Sequence, residues 1–224
     1  MTELHDIPPT APPQPARRPG ADGVRQPRTQ PPTDDDRWQG LRAAVHSIDQ
    51  RVDCWFEPHR GRRALDGTAK LITGLGDHGL VWAVITAWRA RQSGPERVSA
   101  IRSLAVAGIE SRLVNSVLKR SIGRSRPDRT GLKVTEGGLP VREPTTSSFP
   151  SGHTLAGFCA ATVMCRKGDR SGNVLLLSSA TLVGLSRLHL RAHHASDVVG
   201  GAVIGVTLGL FGRGLIRLSV PARR

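Results

Sequence analysis

The sequence predicts an all-α protein, an integral membrane bundle of about five spanning helices preceded by an amphipathic helix. Three runs contain no Lys, Arg, Asp or Glu: residues 144–165, 171–186 and 198–212. A membrane helix needs about 20 apolar residues, and fewer where flanking arginines reach the interface. None of these runs shows the period-two alternation of a half-buried strand, so we expect helices throughout.

Two further segments are weaker candidates for membrane spans, and counting them gives five. Residues 78–88 form a short apolar run, whereas residues 101–118 carry three charges, Arg102, Glu110 and Arg112. Charged side chains inside a span are costly and normally face a partner or a cavity. We therefore expect Glu110 and Arg112 to face the interior of the bundle.

The first 37 residues differ from the rest of the chain in composition. They contain nine of the sixteen prolines and end near the acidic triplet Asp34-Asp35-Asp36, with few apolar side chains. Such a segment buries too little surface to offset its ordering entropy, so residues 1–37 are expected to be a disordered tail. They also lack the apolar stretch that a signal peptide needs.

Residues 38–57 predict an amphipathic helix. Apolar side chains recur there at intervals of three and four residues: Leu41, Ala44, Val45, Ile48, Val52 and Trp55. The intervening charges are too many for a span, so we expect this helix on the membrane surface or against the bundle. The remaining chain divides into a membrane domain, 58–216, and a basic C-terminal tail, 217–224.

The charge of the chain limits its partners. A formal net charge of +14 favours nucleic acid, an anionic membrane surface or an anionic substrate. Only 4% of the residues are aromatic, Tyr is absent and no nucleic-acid-binding module is recognisable, so we expect no nucleic-acid partner. Cys54, Cys159 and Cys165 lack C-x-x-C spacing and are expected to be free thiols.

Three short motifs supply the parts of one phosphate site. In chain order they contain three cations, two histidines, a carboxylate and a Ser-Gly turn: Lys119 with Arg126-Pro127, Pro150-Ser151-Gly152-His153, and Ser186-Arg187 with His193 and Asp197. Guanidinium groups match pairs of phosphate oxygens, and the N–H groups at a helix start bind anions. Alternation of the predicted spans places the loops 119–149 and 187–196 on one membrane side.

The complete motifs K-x6-R-P, P-S-G-H and S-R-x5-H-x3-D resemble those of the type 2 phosphatidic-acid phosphatase superfamily, whose site is shared with vanadium haloperoxidases. The resemblance covers roughly residues 60–216. It implies a multi-pass enzyme of the cell membrane, acting in the cell envelope, which hydrolyses a lipid phosphate monoester or diphosphate without a cofactor. The resemblance leaves two lipid types open, glycerolipid and polyprenyl. The motifs contact the phosphate and do not specify the alcohol.

The resemblance also implies a role for each motif residue. His193 is expected to be the nucleophile that forms a phosphohistidine, Asp197 to hold its ring, and His153 to protonate the leaving group. The remaining residues are expected to bind phosphate: Lys119, Arg126, Ser151, Gly152 and Arg187.

Three other interpretations remain open. A metal site built from His189, His193, His194 and Asp197 lacks the H-E-x-x-H signature and leaves Arg126 unexplained, so we expect no metal. A vanadate-dependent haloperoxidase conflicts with the small size and apolar spans. A non-catalytic membrane protein that binds phosphate would not need both histidines.

Overall fold

The structure, a computed structural model, describes residues 34–76, 80–91, 117–130 and 146–218, with the single positions 105, 108, 109 and 112. Six α-helices lie in these ranges: α1 Asp34–Phe56, α2 Arg63–Gly76, α3 Leu80–Ala90, α4 Gly152–Met164, α5 Arg170–His189 and α6 Ala195–Leu218. A 3₁₀ helix, Glu57–His59, joins α1 to α2, and residues 117–121 are also helical. No strand occurs in the described ranges, which confirms the all-α class.

Helix α1 covers the predicted amphipathic segment as far as Phe56 and begins earlier, at Asp34. Residues 34–37, which the sequence assigns to the tail, are therefore helical. The acidic triplet occupies the first helical turn, where carboxylates are stabilised by the positive end of the helix dipole. Residues 1–33 lie outside the described part of the chain.

The two faces of α1 have opposite environments. Its large apolar side chains are mostly exposed: Trp38, Leu41, Ile48 and Trp55. Asp49 and Phe56 are instead buried, on the side that meets the rest of the molecule. The helix therefore contacts the bundle through a carboxylate and leaves an apolar face outward.

Helix α6 approaches α4 more closely than side chains would allow. A Cβ atom added at Gly201 would lie 2.7 Å from the carbonyl oxygen of Ser151, and one at Gly209 would lie 2.9 Å from the backbone of α4. At Gly205, between them, the added atom would overlap the Leu155 oxygen. Small residues four apart let two helix backbones pack in contact. This contact fixes the start of α4 beside the start of α6.

The apolar core lies where α3, α4 and α5 meet. Trp82 of α3 is buried and lies against Gly157 of α4, where a Cβ atom would be 3.3 Å from the indole ring. Leu176 and Ala180 of α5 pack into the same cluster. The three cysteines are free thiols, as predicted.

One helix in the described ranges, at Ala195–Gly214, is long and apolar enough to cross a membrane by length and composition. The uncharged run 144–165 is not one helix, because α4 begins only at Gly152 and ends at Met164. Thirteen residues span about 20 Å, less than a bilayer core of about 30 Å. The number of spans stays a prediction.

The ends of the predicted membrane domain also shift. Helix α6 continues to Leu218, past the start of the expected tail at 217, and residues 219–224 lie outside the described part of the chain.

Of the two charged residues expected in the bundle interior, Glu110 lies outside the described part of the chain. Arg112 is exposed, and the interior position of the two charges stays a prediction.

Candidate active site

The three motif segments meet at one end of the bundle. Nη1 of Arg126, in the loop after the helical residues 117–121, donates to the carbonyl of Ala192 at 2.7 Å. The amide of Ser148, just before the second motif, donates to the carbonyl of Arg124 at 2.9 Å. The amide of Ser151 donates to the carbonyl of Asp197 at 3.0 Å. The loops predicted to lie on one side therefore touch each other.

His193 is buried in the loop between α5 and α6, and both ring nitrogens have neighbours. Nδ1 lies 2.8 Å from the carbonyl oxygen of Ser148, and Nε2 lies 3.3 Å from Nη1 of Arg126. A carbonyl only accepts hydrogen bonds, so Nδ1 carries the proton and donates it. The lone pair is then on Nε2, which faces a guanidinium.

Asp197 lies beside the ring of His193, and its expected role in holding that ring stays a prediction. Its Oδ2 lies 3.7 Å from Nδ1, beyond hydrogen-bond distance. That oxygen accepts instead from the hydroxyl of Ser148 and, at 2.8 Å, from the amide of His194. The Ser148 carbonyl occupies the position next to Nδ1. Asp197 therefore orients the histidine through Ser148.

The electrostatic surroundings keep His193 neutral. Burial, together with the positive charges of Arg187 and Arg126, lowers the pKa of His193 from 6.5 to about 4, against the opposing effect of Asp197. Burial, with the charges of Arg126 and Arg187, also lowers the pKa of Lys119. The three predicted cations are therefore close enough to influence one another, and the imidazole among them is unprotonated at neutral pH.

Arg126 has two tasks in this arrangement. Besides facing His193, it donates to the carbonyls of Thr146 at 3.3 Å and Ser147 at 3.4 Å. Arg187, in the last turn of α5, is 2% exposed, and its carbonyl accepts from the amide of Ala192 at 2.9 Å. Arg126 thus joins two loops, whereas Arg187 lies in the buried part of the site.

The start of α4 supplies Ser151, Gly152 and His153. Ser151 is fully buried, and its hydroxyl accepts from the hydroxyl of Thr154 at 2.9 Å. Its amide bonds to Asp197, so it is not one of the free amides that the sequence predicted for phosphate. The amides of residues 152–154 occupy the first helical positions, where no acceptor exists within the helix. The ring of His153 lies against Gly76 at the end of α2, 3.6 Å from a Cβ atom built there.

The alternative metal site is not assembled. Nε2 of His189 lies 2.7 Å from Oδ1 of the fully buried Asp66 on α2, and its ring lies edge-on to Phe56. His193 is instead bonded to Ser148. Within the described ranges, no group of three or more His, Cys, Asp or Glu side chains is arranged to hold a metal ion.

A cavity of about 420 Å³ adjoins His193. It lies between α1, residues 127–128 and residues 188–195. Its polar lining includes His46, Gln50, Asp53, Asp128, Arg191 and His194. Helix α1, which the sequence motifs did not connect to the site, thus forms one wall beside the histidine.

The sequence profile of the PAP2 superfamily matches residues 100–219, which contain all three motifs. The chain belongs to this superfamily. It is a hydrolase, a membrane lipid phosphate phosphatase.

Individual PAP2 relatives differ in what they act on. The chain is 29% identical over 151 residues to the decaprenylphosphoryl-5-phosphoribose phosphatase of Mycobacterium tuberculosis, which covers 66% of this chain and 78% of that protein. It is 33% identical over 107 residues to phosphatidylglycerophosphatase B of Bacillus subtilis, covering 43% and 48% of the two chains. The crystal structure of the transmembrane PAP2 type phosphatidylglycerolphosphate phosphatase from Bacillus subtilis is similar with a TM-score of 0.61 and 27% identity, over 80% of this chain and 90% of that one.

The PAP2 match leaves out α1, and sequence reasoning missed the residues that connect α1 to the site. Asp49 lies before the matched region, and Arg124 lies among the unspecified positions of K-x6-R-P. The positive charge of Arg124 was a signal, but its partners come from distant parts of the chain. No feature of the sequence identifies Ser148, because the group that orients His193 is the backbone carbonyl of Ser148.

Proposed function

We propose that this PAP2 protein hydrolyses a lipid phosphate monoester or diphosphate through a phosphohistidine on His193, without a metal ion. The observation that carries the proposal is the state of His193. Nδ1 donates to the carbonyl of Ser148, and the unprotonated Nε2 lies 3.3 Å from Nη1 of Arg126, from which it accepts. A neutral imidazole with an unprotonated nitrogen beside a cation is suited to attack a phosphoryl group.

The proposed reaction has two steps. In the first, the Nε2 lone pair of His193 forms a bond to phosphorus, the bond from phosphorus to the lipid oxygen breaks, and His153 gives its proton to that oxygen. The lipid alcohol leaves. In the second, His153 takes a proton from water, the water oxygen bonds to phosphorus, and the bond to Nε2 breaks. Inorganic phosphate leaves and both histidines return to their starting states.

The phosphate-binding residues are proposed to act by charge and position. Phosphoryl transfer depends chiefly on holding the group and stabilising its oxygens. Lys119, Arg126 and Arg187 supply the positive charge, and their proximity is indicated by their shared effects on the pKa values of Lys119 and His193. Ser151 and Gly152 place the first amides of α4 toward the same site.

For the substrate we keep two classes, glycerolipid phosphates and polyprenyl phosphates, including polyprenyl-phosphate sugars. The names of the relatives cover both classes. We further propose a multi-pass cell-membrane protein with about five spans, of which Ala195–Gly214 is one. The exposed apolar face of α1 supports a position at the membrane surface.

The test is phosphate release by the purified protein from a panel of lipid phosphates of both classes, with His193→Ala alongside. We expect release by the wild type from at least one class and none by the variant. Brief reaction with labelled substrate should leave a protein-bound phosphate that is stable in alkali and lost in acid, as expected for a phosphohistidine. EDTA should have no effect and orthovanadate should inhibit.

Three results would contradict this proposal. Activity that EDTA abolishes and a divalent metal restores would exclude the metal-free mechanism. Undiminished turnover by His193→Ala would exclude His193 as nucleophile. Halide oxidation with vanadate and peroxide, without phosphate release from any lipid, would favour the haloperoxidase.

A further inference from the structure

Arg124 joins two buried carboxylates from distant parts of the chain. Its Nη2 lies 2.6 Å from Oδ2 of Asp49 on α1, and its Nη1 lies 2.6 Å from Oδ1 of Asp197 on α6. The two carboxylate side chains are 2% and 0% exposed. Buried charges are costly unless an opposite charge and hydrogen bonds compensate them. The guanidinium compensates both carboxylates at once.

Asp49 also holds the start of the helix that carries Asp197. Its Oδ1 accepts from the amide of Ser196 at 2.8 Å, and its Oδ2 accepts from the Ser196 hydroxyl at 2.8 Å. Ser196 is the second residue of α6, where amides lack an acceptor within the helix. A carboxylate there is further stabilised by the helix dipole. Asp49 thus caps a helix that begins almost 150 residues later.

The chain of contacts continues from Asp197 to the nucleophile. Nη1 of Arg124 also donates to the Ser196 hydroxyl at 2.7 Å, which fixes the guanidinium against the first turn of α6. The other carboxylate oxygen of Asp197 accepts from the Ser148 hydroxyl, and the Ser148 carbonyl accepts from Nδ1 of His193. Displacing Asp197 would therefore move the group that sets the tautomer of His193.

We propose that Asp49 and Arg124 are positioning residues for His193, acting through Asp197 and Ser148. Neither residue touches the histidine. The inference rests on the proposed role of His193 as nucleophile, and it assigns α1, outside the PAP2 match, a part in catalysis. Because we propose that these residues act on the orientation of the nucleophile, their loss should lower kcat more than it changes KM.

Helix α1 offers a matched control in Asp53, one turn beyond Asp49. Asp53 also forms ion pairs, with Arg60 at 2.6 Å and Arg191 at 2.6 Å. Neither of these contacts involves Asp197 or Ser148, and the side chain of Asp53 is 35% exposed. Asp49→Asn and Asp53→Asn make the same chemical change on the same helix. Asp53 reaches the loop before His193 through Arg191, whereas only Asp49 lies on the path through Asp197 and Ser148.

The experiment measures kcat and KM for lipid phosphate hydrolysis by the full-length protein and four variants, with thermal unfolding in detergent as a folding check. We expect Asp49→Asn to lower kcat roughly tenfold to a hundredfold, by analogy with residues that orient a metal-ligating histidine through a hydrogen bond. Asp53→Asn should lower it much less. Arg124→Lys, which keeps the charge, should retain more turnover than Arg124→Gln.

The double variant Asp49→Asn with Arg124→Gln tests whether the two residues act as one unit. Its kcat should be close to that of Arg124→Gln alone, because both changes interrupt the same path. Three results would each overturn the proposal. The first is a loss of kcat in the double variant equal to the product of the two single losses, and the second is an equal loss of kcat in Asp49→Asn and Asp53→Asn. The third is a change confined to KM. If Asp49→Asn does not fold, the comparison of Arg124→Lys with Arg124→Gln decides, with better retention of kcat by Lys supporting it and equal kcat overturning it.

The His193→Ala result separates this inference from the proposed function. An inactive His193→Ala together with a fully active Asp49→Asn would refute the positioning role alone. An active His193→Ala would refute the nucleophile, and the positioning role with it.

Discussion

The two catalytic histidine candidates lie in regions that are held in place by different interactions. His153 belongs to α4, whose backbone packs directly on the glycines of α6. His193 belongs to a loop that several charged side chains bind, among them Arg126 and Asp197. Close packing tolerates little added volume, whereas ion pairs and hydrogen bonds tolerate volume but depend on charge and ionic strength. Added side-chain volume should therefore destabilise the first region, whereas loss of charge or added salt should destabilise the second.

The charge-held region centres on the turn after α5. Arg191 has a φ of 49°, a left-handed conformation that is unfavourable for a residue with a Cβ atom. Its guanidinium is bonded to Asp53 at 2.6 Å. Arg60, which is buried, donates to the carbonyls of Leu188 at 3.1 Å and His189 at 2.9 Å. These contacts bind the end of α5, and so the loop to His193, to α1 and the residues that follow it.

The largest expected effect concerns His153 in the closely packed region. His153→Ala should slow hydrolysis of a natural lipid phosphate by roughly a hundredfold or more, because an alkoxide needs a proton to leave. An aryl phosphate with an activated leaving group needs no such proton and should be affected far less. Steady-state rates on the two substrates test this. Equal losses on both would mean that His153 is not the general acid.

The next largest effect concerns the contact between α4 and α6. Gly205→Ala places a methyl group against the Leu155 oxygen and should destabilise the protein by about 1–3 kcal/mol, as overpacking does. Gly214→Ala is the matched control on the same helix, because nothing lies within 4 Å of its Cβ position. Alanine there should be neutral or slightly stabilising.

Thermal unfolding in detergent compares the two glycine variants. A clearly lower unfolding midpoint for Gly205→Ala, with no change for Gly214→Ala, would indicate that close packing of α4 on α6 holds His153 in place. Equal midpoints would show that α4 and α6 separate at little cost.

Sequence patterns predicted the closely packed region better than the charge-held one. Helical runs and the P-S-G-H motif placed α4, α5 and α6, because apolar periodicity and a helix-starting turn are local properties. Helix α4 begins at Gly152, inside the P-S-G-H motif. The sequence did not reveal that Ser148 separates Asp197 from His193, since a backbone carbonyl leaves no trace in residue type.

The charge-held region could not be predicted because its partners are far apart in the chain. Asp49 and Arg124 are 75 positions apart, and Asp53 and Arg191 are 138 apart. Their residue types are typical of an amphipathic helix and of a basic loop. Only the fold shows which carboxylate meets which guanidinium.

A smaller effect is expected from Asp53→Asn, which weakens the charge-held region alone. The variant should unfold at a slightly lower temperature than the wild type in dilute buffer. The difference should shrink in about 1 M salt, where charges are screened within about 3 Å. Gly205→Ala should show no such salt dependence. A salt-independent loss for Asp53→Asn would indicate that its packing matters more than its charge.

The smallest effect at neutral pH, and the sharpest test of the environment of His193, is the pH dependence of stability. Burial lowers the pKa of His193 to about 4 in the folded protein, against 6.5 for an ordinary histidine. The unfolded chain therefore binds a proton on this residue more readily than the folded one. Its contribution to stability is complete above 6.5 and is lost as the pH falls toward 4.

The comparison variant is His193→Gln, which has no titrating group at this position. Between about pH 6.5 and 4 the wild type should lose stability relative to this variant, whereas above neutral pH the difference between them should be constant. Denaturant unfolding at a series of pH values measures the difference. The opposite slope, with the wild type gaining stability as the pH falls, would mean that His193 is held as a cation by Asp197 and is not a neutral nucleophile.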